Sequence, residues 1–431
     1  MFSQLIERIK KSTYILQILT LMSGTIIAQV LMLAIIPVLT RLYTPEEFGI
    51  YSLFLSIVFI LGVVASWKYE LAIMLPKRDR DAQALVFLSL IITISMVFGI
   101  SLILLVFHDL LIEHFPEISS IIWLIPIGVL LTGLFQIFTA YSSRHQFYKK
   151  IASVKVTNAF TIASVQTMLR YFLNWNGLIS GKIIADIVSV SLFVTYHIKK
   201  QTLQLKHFSK RRIYYNAKKY DNFPKYQSFT VFLNAISQNL PVLMLTSLFS
   251  AEAAGFYALT TRVLQAPVSL VGGSTREVYY QRASRLYANG EDIFALYKKT
   301  TLGLLKIFLV PFLVISLFGE DLFRIIFGEN WNISGYIAQI MVLWFMLLFI
   351  NTPSIITFSI LGLQKIQMYL EIVSVIMRIL SIYAGFYFFD SFIASIVFYT
   401  IYSVLFNITL ISYIFTKLKF NSTMVLQKGK S

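Results

Sequence analysis

Uncharged apolar stretches of roughly 20 residues or more alternate with short polar segments along almost the whole chain. About 20 apolar residues cross a hydrocarbon core, so this alternation predicts membrane spans rather than a soluble core. Twelve spans are predicted, near 15–40, 48–67, 82–107, 118–143, 151–172, 177–197, 228–250, 256–275, 300–318, 335–361, 366–389 and 391–415. They are predicted as helices, because unpaired backbone in hydrocarbon is too costly. The fifth and sixth are the weakest, since Lys155, Arg170, Lys182 and Asp186 interrupt them.

The two halves share a phrase. Leu42-Tyr43-Thr44-Pro45-Glu46-Glu47-Phe48-Gly49-Ile50-Tyr51-Ser52-Leu53 aligns without a gap on Leu248-Phe249-Ser250-Ala251-Glu252-Ala253-Ala254-Gly255-Phe256-Tyr257-Ala258-Leu259, and Thr40 faces Thr246. Each copy joins two long apolar segments, which marks a duplication. Six spans per half is an even number, so both copies enter the membrane in the same direction. The expected fold class is all-α, a polytopic membrane protein with about twelve transmembrane helices in two parallel six-helix bundles. The expected domains are an N-terminal bundle at 1–199, a basic cytoplasmic linker at 200–226 and a C-terminal bundle at 227–431.

Charge sets the orientation. One set of loops carries Lys77, Arg78, Arg80, Arg144, Lys149, Lys150, the basic run from Lys199 to Lys225, Arg276, Arg282, Arg285, Lys298, Lys299, Lys365, Lys417 and Lys419. The alternate set holds only Arg41 and Arg324 as cations, among acidic residues such as Glu46, Glu47, Asp109, Glu320 and Asp390. Positive loops stay in the cytoplasm, which places both termini inside. The linker holds Lys206, Lys210, Arg211, Arg212, Lys218 and Lys219 among Phe208, Ile213, Tyr214 and Tyr215. Two readings stand for it: an interfacial amphipathic helix holding the bundles, or a solvated loop that enforces topology.

Composition agrees. The 431 residues are 57% hydrophobic and 13% charged, against about 25% charged in soluble domains. The absence of cysteine excludes disulfides, thiol catalysis and Cys-ligated metals. The net charge of +17 lies beside spans, a signature of orientation and anionic membrane lipid rather than nucleic acid. The basic start (Arg8, Lys10, Lys11) precedes an apolar run too long for a signal peptide, so a retained first span is expected.

No catalytic constellation is visible, and the protein is read as not an enzyme. The five histidines, His108, His114, His145, His197 and His207, sit at or beyond span ends. No metal site is expected, because His108 and His114 beside Asp109 and Glu113 read as an exposed polar loop. Gly272-Gly273 lacks a following Lys-Ser/Thr and is no phosphate loop; it is expected to let helices approach closely.

Charges within spans are more informative, since they are costly in lipid and normally face an interior or a watery cavity. They are Lys68, Glu70, Lys155, Arg170, Lys182, Asp186, Arg262, Lys306, Glu371 and Arg378, seven basic against three acidic. Lys68, Lys155 and Lys306 lie near the expected cytoplasmic interface and are placed to snorkel, although Lys68 is also kept as a cavity candidate. Arg170 is placed to reach the outer interface. Arg262 and Arg378 are cavity candidates, with structural pairing as the alternative. Glu70, Asp186 and Glu371 are the carboxylates for ion coupling or, as the plainer reading, for neutralising nearby bases. Gln29 in the first span and Asn234, Gln238 and Asn239 in the seventh are interhelical glue or ligands for hydroxyl-rich molecules. Pro37 and Pro241 follow them.

The chain resembles the bacterial O-antigen/polysaccharide repeat-unit flippases of the multidrug/oligosaccharidyl-lipid/polysaccharide exporter superfamily. The residues that carry the resemblance are Pro37 to Tyr51, Tyr69-Glu70-Leu71-Ala72-Ile73, Tyr220-Asp221-Asn222-Phe223-Pro224-Lys225-Tyr226, Asn239-Leu240-Pro241-Val242-Leu243, Ala253 to Leu259, and Arg262-Val263-Leu264-Gln265-Ala266-Pro267. It implies two six-helix bundles around a central basic cavity lined by spans one, two, seven and eight. The implied substrate is an undecaprenyl-pyrophosphate-linked oligosaccharide, moved by alternating access across the bacterial cytoplasmic (inner) membrane for O-antigen, lipopolysaccharide or capsule biosynthesis. It implies no cofactor, and a polysaccharide polymerase and chain-length regulator as partners. Arg262 matches a recurrent arginine of the family's eighth span. The alternatives are a cation-coupled multidrug exporter of the same superfamily, a non-transporting polysaccharide polymerase, a peptidoglycan-precursor flippase and a scaffold.

Overall fold

Helices of spanning length fall on every predicted span. The first half has Thr13–Ala34 continued by Ile36–Leu42, then Pro45–Gly62, Asp79–Val106, Leu124–Arg144, Tyr148–Leu173 and Gly177–Lys199. The second has Ser228–Leu248, Ala251–Ala288, Phe294–Phe327, Asn332–Ile350 continued by Thr352–Ile360, Gln364–Phe389 and Phe392–Lys428. This computed structural model describes residues 13–114, 116–173, 177–204 and 208–428. Arg8, Lys10 and Lys11 of the basic start, and Lys206 and His207 of the linker, lie outside the described residues. Among the described residues there are no strands, and ten helical segments are long and apolar enough to cross a membrane. The fifth and eighth spans fall short. The sixth, expected to be weak, qualifies despite Lys182 and Asp186. The protein is a multi-pass membrane protein built as two helical bundles.

Residues cluster into two units, Met1–Ser247 and Leu248–Ser431. In the first, the second and third spans pack on the fourth, and the fourth and fifth on the sixth. In the second, the eighth and ninth pack on the tenth, and the tenth and eleventh on the twelfth. The same four pairings recur six spans later, so the duplication read from the shared phrase extends to packing.

Local chemistry starts the repeated helices. Thr44 caps the second span: its Oγ1 accepts from Glu47 N at 3.3 Å, and Glu47 Oε2 accepts from Thr44 N at 2.8 Å. This reciprocal box, with Pro45 in the first turn, satisfies donors that a helix start leaves free. Ser250 does half of this at the eighth span, accepting from Ala253 N at 3.2 Å; alanine at 253 removes the returning carboxylate. The first span breaks at Ile35, just before Pro37, whereas Pro241 sits inside a continuous helix.

The expected role of Gly272-Gly273 needs correction. A Cβ on Gly273 would meet nothing within 4 Å, and one on Gly272 only Thr352 Oγ1 at 3.8 Å. Tight crossings in the second unit lie instead at Gly385, against the Ser395 backbone, and at Gly319 and Gly335, where a Cβ on Gly335 would stand 2.4 Å from the Gly319 carbonyl oxygen. Paired glycines there let the ninth and tenth spans meet backbone to backbone.

The linker contains a helix, Lys210–Lys219. Ile213, Ala217 and Tyr220, with Phe223 just beyond, pack against the core around Tyr69, Ala82, Leu85 and Val86 of the first unit. Asn216 is buried and donates to Arg212 O at 2.9 Å. The Tyr69 hydroxyl donates to Ala217 O at 2.9 Å. The linker is therefore a docked amphipathic helix, not a solvated loop.

Candidate functional site

Lys68 and Glu70 form a buried pair. The second span, expected to run to 67, ends as an α-helix at Gly62, and i+3 turns follow. Trp67 and Lys68 take positive φ values of 50° and 61°, a conformation that costs non-glycine residues energy. That turn folds Lys68 back inside, 7% exposed, with Nζ 3.1 Å from Glu70 Oε1 and 3.4 Å from Gln136 Oε1. Ser66 Oγ donates to the other Glu70 oxygen, and Gln136 Nε2 donates to Gly62 O at 3.2 Å. Lys68 does not snorkel. Its charge is matched and hydrogen-bonded within the bundle, the condition under which a buried ion pair persists.

Asp186 is likewise engaged. It pairs with Lys182 one turn earlier and accepts from Asn158 Nδ2 at 3.0 Å. Asn158 also donates to Ser189 Oγ at 2.8 Å. Lys155 donates to Thr25 Oγ1 at 3.2 Å, and Lys306 is exposed. Arg170 closes over the loop between the first two spans: Nε donates to Leu42 O at 2.6 Å, and Nη1 lies 3.4 Å from Glu47 Oε1. Tyr43 lies under its guanidinium and donates to Gln166 O at 2.7 Å. Burial pushes the Tyr43 phenol up to about 12, so it remains a donor at neutral pH.

Other candidates stay apart. In the seventh span, Gln238 Nε2 donates to Asn234 Oδ1 at 2.6 Å, and both residues are exposed. Asn239 is half-buried and donates to Ala235 O at 2.8 Å. Gln29 is half-buried in the first span. Arg262 is half-buried in the eighth and, among the described residues, makes no ion pair or hydrogen bond. Arg378, half-buried, sets its guanidinium 5.9 Å from the Phe406 ring centroid. Glu371 is exposed.

Two groupings escape sequence reading. Tyr257 and Tyr399 are buried in the second unit with ring centroids 6.4 Å apart, and Trp344 stands edge-on to Tyr399 at 5.2 Å. The shared phrase, where Tyr257 matches Tyr51, is the signal that points to it. The second grouping joins loop ends of the first unit around His197. Its Nε2 bonds to Ser142 Oγ at 2.9 Å and its Nδ1 to Thr202 Oγ1 at 2.8 Å. Tyr141 and Gln83 both donate to Thr202 O, at 2.7 and 2.8 Å. His145 lies beside it, 3.9 Å from Asp79. These partners are 55 or more residues apart in most cases, and no local spacing announces them.

The fold is thus two membrane bundles related by an internal repeat, with matched charges inside the first and, among the described residues, an unpaired Arg262 in the second. Residues 38–335, more than half of the chain, match a family described as "Polysaccharide biosynthesis protein". The chain belongs to that family. No curated protein matches it by sequence. Among solved structures, it is similar to an inward-facing multidrug resistance MATE family transporter of the MOP superfamily. That likeness has 13% identity and a TM-score of 0.72, covering 92% of this chain and 96% of the other. It is also similar to the lipid II flippase MurJ in an inward closed conformation, at 15% identity and TM-score 0.66, covering 96% and 92%. A third likeness is to a MOP superfamily transporter from Pyrococcus furiosus described as having reverse polarity in its binding pocket. There the identity is 13% and the TM-score 0.60, covering 94% and 96%. At these identities the likeness establishes the fold.

Proposed function

We propose that this chain is a flippase for undecaprenyl-pyrophosphate-linked oligosaccharide repeat units. It moves them from the inner to the outer leaflet of the bacterial cytoplasmic (inner) membrane, by alternating access, during O-antigen, lipopolysaccharide or capsule biosynthesis. The functional units are the two six-span repeats, 1–199 and 227–431, with both termini and the 200–226 linker cytoplasmic. A polymerase and chain-length regulator act on the delivered unit.

The observation that carries this reading is Arg262. The two carboxylates buried in the first unit are each held by a lysine, Glu70 by Lys68 and Asp186 by Lys182. Arg262 is left without an anion among the described residues. A base kept unneutralised within a span is costly unless a ligand or water receives it. A pyrophosphate supplies the matching anion, and guanidinium binds phosphate in a fork. The same balance disfavours organic cations, the cargo of the multidrug exporter alternative. The membership in a polysaccharide biosynthesis family supports the sugar portion.

Physically, a pyrophosphate-linked sugar cannot cross hydrocarbon, while its polyprenyl tail is stable there. Arg262, with Arg378, supplies charge to the head group as the protein exchanges between two states. The test is a deletion strain without a paralogue. Lipid-linked repeat units should accumulate on the cytoplasmic face. Normal delivery to the outer leaflet in that strain would refute transport as the function.

A further inference from the structure

The linker helix Lys210–Lys219 presents two unlike faces. Ile213, Asn216, Ala217 and Tyr220 follow the three-and-four spacing of one helical stripe and turn to the first unit. The opposite stripe carries Lys210, Arg211, Tyr214, Tyr215, Lys218 and Lys219, all exposed. Tyr214 is 73% exposed and Tyr215 61%. The helix contains no acidic residue, and among the described residues none of these four cations has an ion-pair partner. Lys219 sits over the Tyr215 and Tyr220 rings, at 6.0 and 5.3 Å from their centroids.

Location gives this face its partner. The helix packs on Asp79–Val106, and the core it joins includes Ala82, Leu85 and Val86, in the first turns of that span. Those turns mark where the chain enters hydrocarbon, beside the exposed cations Lys77, Arg78 and Arg80. A bundle-facing apolar stripe leaves the basic stripe and two tyrosines free at the height of lipid head groups. Cations mixed with amphipathic rings are the composition suited to that boundary.

We propose that the outward face of Lys210–Lys219 binds the anionic lipid surface of the membrane, so that head groups clamp the linker against the first bundle. The helix is already bolted by Tyr69 to Ala217 O and by Phe208 against Phe87, with ring centroids 5.4 Å apart. Lipid would therefore tighten an existing element rather than fold a new one. This is independent of what the protein transports.

The test is hydrogen exchange of linker amides in the full chain, reconstituted in phosphatidylcholine vesicles with and without phosphatidylglycerol. Phosphatidylglycerol should slow exchange across Lys210–Lys219, and high salt should abolish the slowing. Each cation replaced by glutamine should weaken the lipid dependence by about fivefold. The K210Q/R211Q/K218Q/K219Q variant should lose it, and the corresponding arginine-for-lysine variant should keep it. The salt arm uses the unmodified chain and stands even if the quadruple variant misfolds. Equal exchange in both vesicle types would overturn the proposal. So would the same protection from inorganic phosphate or soluble polyglutamate in phosphatidylcholine vesicles, which would mark a small-anion or acidic-protein site instead.

Discussion

Arg170 donates through Nε to the Leu42 carbonyl at 2.6 Å, tying the fifth span to the last residue of the first. The same guanidinium reaches Glu47, the residue that closes the cap of the second span. Arg170→Ala should cost about 1.5–3 kcal/mol, the range for a charged hydrogen bond. Arg170→Lys should recover little, because an ammonium lacks the planar fork that serves two acceptors at once. Thermal unfolding in detergent measures both; equal stability of Arg170→Lys and the unmodified protein would contradict the shared role.

The buried pair Lys68–Glu70 predicts strong non-additivity. Lys68→Met alone should destabilise by about 3–5 kcal/mol, because it strands a carboxylate in the bundle. Lys68→Met combined with Glu70→Met should cost far less than the sum. A double-mutant cycle reads this directly, and additive losses would show that the pair does not act as a unit.

Two glycine substitutions should separate cleanly. Gly335→Ala forces a Cβ against the Gly319 carbonyl and should cost about 3 kcal/mol. Gly273→Ala meets open space within a helix and should be neutral or stabilising by up to about 1 kcal/mol. Unfolding temperatures of the two variants should move in opposite directions or differ by several degrees.

His145 is expected to make the first unit sensitive to acid. Burial holds its imidazole below the ordinary 6.5; Asp79 opposes this, and Arg144 adds to it. His197, Tyr141 and Phe147 also face the ring. The folded form disfavours protonation of the ring, so its contribution is complete above pH 6.5 and declines as pH falls below that value, where the unfolded chain takes up the proton first. His145→Gln should flatten the fall in unfolding temperature between neutral pH and about pH 5. An unchanged slope would place the acid sensitivity elsewhere.

Ten of the twelve predicted spans are legible as long apolar runs, because hydrocarbon thickness imposes that one constraint; the fifth and eighth are helices that fall short of it. The hinge phrase exposes the duplication for a related reason: Thr44 and Ser250 must cap helices in the same place. The interior is less legible. Lys68 looks like an interfacial lysine by distance along a helix, but the helix ends at Gly62 and a left-handed turn carries the ammonium inward to Glu70. Lys182 and Asp186 are readable as a pair because they lie one turn apart, whereas Asn158 joins them only through packing of the fifth span on the sixth. Gly272-Gly273 is conspicuous in the chain and Gly319 with Gly335 is not, since close approach depends on the neighbour rather than on adjacent glycines.

Transport of a pyrophosphate-linked head group by a chain whose eighth span offers an unpaired arginine is tested most directly in vesicles. Purified protein would be reconstituted with a polyprenyl-pyrophosphate oligosaccharide, and arrival of the sugar at the opposite leaflet followed over time. The unmodified chain should accelerate arrival, and Arg262→Ala should lose at least about tenfold of that rate, the lower range for a lost charged contact, while inserting and unfolding like the parent. A parent no faster than protein-free vesicles, or an Arg262→Ala variant as fast as the parent, would contradict it.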